Sequence, residues 1–107
     1  RAATNSEVIH IENSMRSVQS EASRRTTLLL AAQDHFFTTQ QVQQLMVLIT
    51  DETHRLASLK TLYFRVVDRK NFHTLIGLLS NPDLQTQLLE SIKAKTLKHP
   101  DGTHESR

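Results

Sequence analysis

Apolar residues recur along this chain at steps of three and four rather than two, the period of helices that pack by one face. Val8, Ile11, Met15 and Val18 make the first stripe. Thr4 and Glu7 precede it as a T-x-x-E box, in which hydroxyl and carboxylate each satisfy a backbone N–H left free at a helix start. A polar stretch, Ser17 to Arg25, interrupts the stripe, and a second helix is predicted around Leu28, Leu29 and Ala32. Phe36-Phe37-Thr38-Thr39 reads as a corner. Thr38 and Gln41 form a second box, opening a helix with Val42, Leu45, Met46 and Ile49 inward. Asp51 is placed to cap a fourth helix whose core face is Leu56, Leu59, Leu62, Tyr63 and Val66, with Val67 at its margin. Asp68 ends that run and is expected to cap a fifth helix bearing Phe72, Leu75, Ile76 and Leu79. Asn81-Pro82-Asp83 supplies cap, first-turn proline and a charge suited to the positive helix end, and starts a sixth helix with Leu84, Leu88, Leu89 and Ile92.

The pattern predicts one all-α domain over residues 6–97, about six helices arranged as three tandem antiparallel helix pairs, in a compact bundle or short superhelical stack. Residues 98–107 offer no apolar anchor and are expected to form a disordered tail. A shift of 30 residues supports the pairing. It aligns Met15 with Leu45 and Leu75, Val18 with Leu48 and Leu78, and Leu29 with Leu59 and Leu89. It also aligns Ala32 with Leu62 and Ile92, and Phe37 with Val67 and Leu97. A hairpin of this kind cannot bury its face alone and stacks on its neighbour. Arg25 and Arg55 fall at corresponding positions of such a stack.

Two stretches carry a resemblance. Phe37-Thr38-Thr39-Gln40-Gln41-Val42 is an F-T-x-x-Q-V corner, and Leu62-Tyr63-Phe64-Arg65-Val66-Val67-Asp68-Arg69-Lys70-Asn71-Phe72 reads L-Y-x-R-V-x-D-x-x-N-F. Over roughly Val18 to Ile92 the chain resembles the small helical domain of unknown function numbered 4476, met in bacterial exported proteins and eukaryotic multidomain proteins. Phe64 stands where such sequences often carry Pro, a change that a longer helix tolerates. The resemblance implies short repeated helix pairs and no established activity.

Length and composition narrow the function classes. The 107 residues make one modest domain, and 37% hydrophobic content in regular clusters is enough for a cooperative core. Without Cys there is no disulfide, iron–sulfur cluster, thiolate zinc site or thiol nucleophile. Two Gly and two Pro argue against a turn-rich β-sandwich and a Gly-rich phosphate loop. No apolar run approaches the ~20 residues of a membrane span, and the start, Arg1 instead of Met, leads into no signal-peptide core. The expectation is a piece of a longer cytoplasmic protein, to which it supplies attachment.

The polar residues suggest no catalysis and no cofactor. His10, His35, His54, His73, His99 and His104 include no i, i+4 pair, so no metal site is expected. Asp68 and Asn71 could be an acid and amide in a binding corner, but three-residue spacing suits a helix cap better. No G-x-S-x-G or S-x-x-K arrangement occurs. With 13 Lys and Arg against 11 Asp and Glu the net charge is only +2, and the basic residues lack a recognition-helix cluster or aromatic platform. Surplus apolar residues beside the stripes point elsewhere. Leu30, Leu48, Phe64 and Leu78 widen them beyond one face, as a partner groove or a doubly covered central helix requires. The expected function is a non-catalytic protein–protein interaction or scaffolding domain, with self-association as a further mode. Its expected contact residues are Phe64, Leu48 and Leu78 with a basic rim of Arg65, Arg69 and Lys70. A basic docking surface for nucleic acid or anionic lipid is the alternative.

Overall fold

Six helical segments in two layers make up the structure, a computed structural model that describes residues 1–98. In chain order they are α1 (Asn5–Arg16), α2 (Glu21–Ala32), α3 (Thr39–Met46), α4 (Glu52–Leu62) with a 3₁₀ turn at its end (Tyr63–Arg65), a 3₁₀ helix (Arg69–Leu78) and α5 (Pro82–Lys98). The first helix of each pair packs beside the next, α1 on α3 on the 3₁₀ helix. The second helices form another row, α2 on α4 on α5. Two helical layers about 10 Å thick account for a slab of 41 × 33 × 18 Å. The all-α expectation is met. The expected tail lies outside the described residues from His99 on, and Lys98 ends α5.

Both capping boxes form as the spacing predicts. Thr4 Oγ1 accepts from the Glu7 N–H at 3.1 Å while Glu7 Oε1 accepts from the Thr4 N–H at 2.8 Å, and Thr38 with Gln41 does the same at 3.1 and 3.0 Å. Asp51 caps α4, accepting from Thr53 and His54. Met15, Leu45 and Leu75, one from each helix of the first layer, are fully buried together, so that column of the repeat is real. In the second layer the register differs by one residue. The buried equivalents are Leu28 and Leu59, with Leu29 only half-buried and Leu89 at the open edge of the array.

The departures from expectation lie between Tyr63 and Leu79. Val66 is buried, yet not on α4, which ends at Leu62; it lies on an extended segment in parallel bridging with Phe37. Phe37 N–H donates to Arg65 O and Val67 N–H to Phe37 O, each at 2.8 Å. Because Val66 takes the inward position, Val67 points out, and the column Phe37–Val67–Leu97 fails. Ala2 bridges Phe36 in the same way, so the packed structure starts ahead of residue 6. The fifth helix is 3₁₀ rather than α. Phe72, Leu75 and Leu78 recur every third residue, matching three residues per turn. Meanwhile His73 Nδ1 and Thr74 Oγ1 bond carbonyls three residues back, those of Lys70 and Asn71.

Candidate interaction surface

Among the described residues, seven charged side chains, Glu21, Arg24, Glu52, Arg55, Arg65, Asp68 and Lys95, bond to backbone of a neighbouring repeat. Glu21, the first residue of α2, accepts from the Thr50 N–H (2.7 Å), the Thr50 hydroxyl and the Asp51 N–H (2.8 Å). Glu52, the first residue of α4, accepts from the Ser80 N–H and hydroxyl (2.9 and 2.6 Å) and the Asn81 N–H (3.2 Å). Each carboxylate therefore clamps the loop that starts the next repeat's second helix. The Thr50 hydroxyl, then the Asp51 amide, hold the Glu21 carboxyl down to about 2 from its ordinary 4.5. The Ser80 hydroxyl and amide likewise lower Glu52.

Guanidinium groups bridge the same loops. Arg24 donates to Val18 O (3.4 Å) and Leu48 O (3.3 Å); Arg55 donates to Ile49 O and to Leu78 O (2.9 Å). Arg55 thus corresponds to Arg24, not to Arg25, whose guanidinium instead meets His54 Nδ1 at 3.2 Å. In the third repeat Pro82 and Gln85 replace the glutamate and arginine, and the Gln85 side-chain amide donates to Leu79 O of its own repeat. Sequence reasoning missed this clamp. Its signal was present as Ser20-Glu21-x-x-Arg24 and Asp51-Glu52-x-x-Arg55.

At the other end of the second-layer helices the reach runs backward. Arg65 donates to His35 O (3.1 Å) and Gln33 O (3.2 Å) past the end of α2 and lies 4.1 Å over the Phe36 ring. Lys95 donates to Lys60 O near the end of α4. Asp68 does not cap its own helix. Its Oδ1 accepts from the Thr39 N–H (2.7 Å) and hydroxyl (3.0 Å), and its Oδ2 from the Asn71 amide (3.0 Å). Burial raises the Asp68 pKa, but those donors outweigh it and hold the carboxyl below its usual range. The D-x-x-N motif is thus a tie between repeats.

The expected contact residues divide into two groups. Phe64 and Arg69 come together, joined by Tyr63 and Lys95. Phe64 stays 38% exposed, edge-on to Tyr63 at 5.6 Å, with Arg69 5.6 Å and Lys95 5.3 Å from its ring centre. Tyr63 is buried, and its hydroxyl meets Thr96 Oγ1 at 3.2 Å. Beside this cluster on α5, Ile92, Lys93, Thr96 and Leu97 line an almost wholly apolar cleft of about 260 Å³. Lys70 is exposed on the adjoining 3₁₀ helix. Arg65 lines a separate cleft of about 370 Å³ with Leu29, Ala32, Gln33 and Thr61. Leu48 and Leu78 sit apart, half-buried against the core at the start of the second-layer helices, with their carbonyls in the arginine clamps. The length of α4 separates them from Phe64, roughly 15–20 Å at 1.5 Å per residue.

Among the described residues no three His, Cys, Asp or Glu gather in a way that could hold a metal ion, and no helix is long and apolar enough to cross a membrane. The family model described as Domain of unknown function (DUF4476) matches residues 2–92. No curated protein and no solved structure matches the chain.

Proposed function

We propose that this chain, which belongs to the DUF4476 family, is a non-catalytic protein–protein interaction or scaffolding domain of a larger protein. One observation carries the reading: a large aromatic, Phe64, is held at the surface between Arg69 and Lys95 on a backbone stapled from repeat to repeat. A rigid scaffold with an exposed aromatic and flanking cations has the anatomy of an interface hot spot. Of the expected contact residues, Phe64, Arg69 and Lys70 fit this surface directly. Arg65, Leu48 and Leu78 enter the proposal as supports of the platform, since each is tied into loops or core.

Self-association falls within the same reading, through exposed apolar residues such as Leu30 on α2, and sedimentation velocity tests it. The cytoplasm is the proposed compartment, and fractionation of cells carrying the full-length protein tests it. Phe64→Asp is the test variant. Peptides selected for binding to the intact chain are expected to lose affinity for it while its circular dichroism stays unchanged and its unfolding remains cooperative. Binding only to oligonucleotides or anionic vesicles, lost in high salt and indifferent to Phe64→Asp, would replace this reading with the basic docking surface.

A further inference from the structure

Among the described residues no carboxylate pairs with the cations around Phe64. Asp68, close by in sequence, is bonded to the Thr39 N–H of the neighbouring repeat, and Glu21 and Glu52 serve the loops at the opposite end of the second-layer helices. Among the described residues the close ion pairs are Arg1–Glu7, His35–Glu7 and Lys93–Glu90. None of Lys60, Arg69, Lys70 or Lys95 therefore has a carboxylate of the described residues within salt-bridge distance. Lys95 feels the consequence: burial, then the charge of Lys60, lowers its pKa. A carboxylate arriving here would meet cations that are already positioned, already partly desolvated and crowded by one another. The apolar cleft adjoins them, because Thr96 both lines it and bonds Tyr63 of the aromatic cluster.

We infer that this surface binds an acidic segment of a partner protein, its carboxylates on Arg69 and Lys95 and an apolar side chain in the cleft between Ile92 and Leu97. The inference rests on the interaction-domain reading and adds the chemistry of the partner. Charge complementarity selects the sign of the segment. The cleft, with Leu97 83% exposed at its wall, selects an apolar anchor over a uniformly charged ligand. A nucleobase fits less well. Both cations already lie over the Phe64 ring, on the π surface that a base would need for stacking.

The experiment is selection of a phage-displayed random dodecapeptide library on the intact 107-residue chain. Fluorescence anisotropy of the enriched peptides would follow, against Phe64→Asp, Arg69→Gln, Lys95→Met and Leu97→Ser. Enriched peptides should carry net negative charge and a bulky apolar residue, bind roughly tenfold more weakly to Arg69→Gln and to Lys95→Met, and weaken with salt. Lys95→Met also removes the bond to Lys60 O, and Arg69→Gln the 3.4 Å bond to Phe64 O. The variant that melts like the native chain therefore decides, and Leu97→Ser, at a site 83% exposed, decides if neither does. Neutral or basic peptides that still require Phe64 would overturn the acidic partner and leave the interaction domain standing. Peptides indifferent to all four variants, or none enriched while a dT15 oligonucleotide or phosphatidylserine vesicle binds, would overturn both.

Discussion

Arg55→Met isolates the clamp between the second and third repeats. The substitution keeps most of the aliphatic stem and its packing but removes the guanidinium that donates to Ile49 O and, at 2.9 Å, to Leu78 O. A hydrogen bond from a charged donor is worth about 1.5–3 kcal/mol. Arg55 is only half-buried, so water re-solvates part of both carbonyls, and the pair together should cost about 2–4 kcal/mol. That is a large share of the roughly 5–15 kcal/mol that a small domain possesses. It corresponds to a melting point lower by roughly 10–25 °C for a chain of this size. Urea denaturation followed by far-ultraviolet circular dichroism measures it. Because the two carbonyls belong to different repeats, the slope of the transition should also fall as the third repeat begins to unfold separately. The control is Arg25→Met, which removes one contact to His54 and should cost under about 1 kcal/mol. Equal destabilisation by the two variants, with unchanged slopes, would refute the clamp.

Acid should weaken the same joints. Glu21 titrates near 2 in the folded chain against 4.5 ordinarily, and Glu52 is also lowered. A carboxyl with a depressed folded pKa contributes stability that is complete above its unfolded value and lost as pH falls through the folded one. Urea midpoints should thus fall from about pH 4.5 toward pH 2, and less steeply in Glu21→Gln than in the native chain. Asp68→Ala removes the acceptor of the buried Thr39 N–H and should cost about 2 kcal/mol. Asp68→Asn, which keeps an acceptor oxygen, should cost less than half of that; equal losses in thermal melts would contradict the tie. Thr38→Ala should lower stability by about 1 kcal/mol through its capping box. Phe64→Asp, which loses the edge contact with Tyr63 and the two cations over the ring, should cost about 1–2 kcal/mol and leave the helices intact.

The helices, the starts of α1, α3, α4 and α5 and most inward faces were legible in the sequence, since caps and apolar period are local properties; the stretch from Ser17 to Arg25, read as an interruption, already holds the first turn of α2, capped by Ser20. Thr4 and Glu7 find each other within one turn, and so do Thr38 and Gln41. The repeat was legible too, because Met15, Leu45 and Leu75 must share one core. Asp68 shows where local reasoning ends. Three-residue spacing to Asn71 fits a cap, yet its carboxylate goes to Thr39, 29 residues away, because stacking brings a better donor pair within reach. Val66 left its expected helix for the same reason, its place being set by the extended Phe37 segment beside it. For the candidate surface, Phe64 and Arg69 could be read from one stretch, but Lys95 and Thr96 join them only when α5 packs on α4. The sequence by itself determined that the chain is helical, where most helices begin and, in the first layer, which side faces in. Tertiary structure alone decided which charges became inter-repeat clamps and which cations were left facing outward, since a charge bonds whatever folding brings to it.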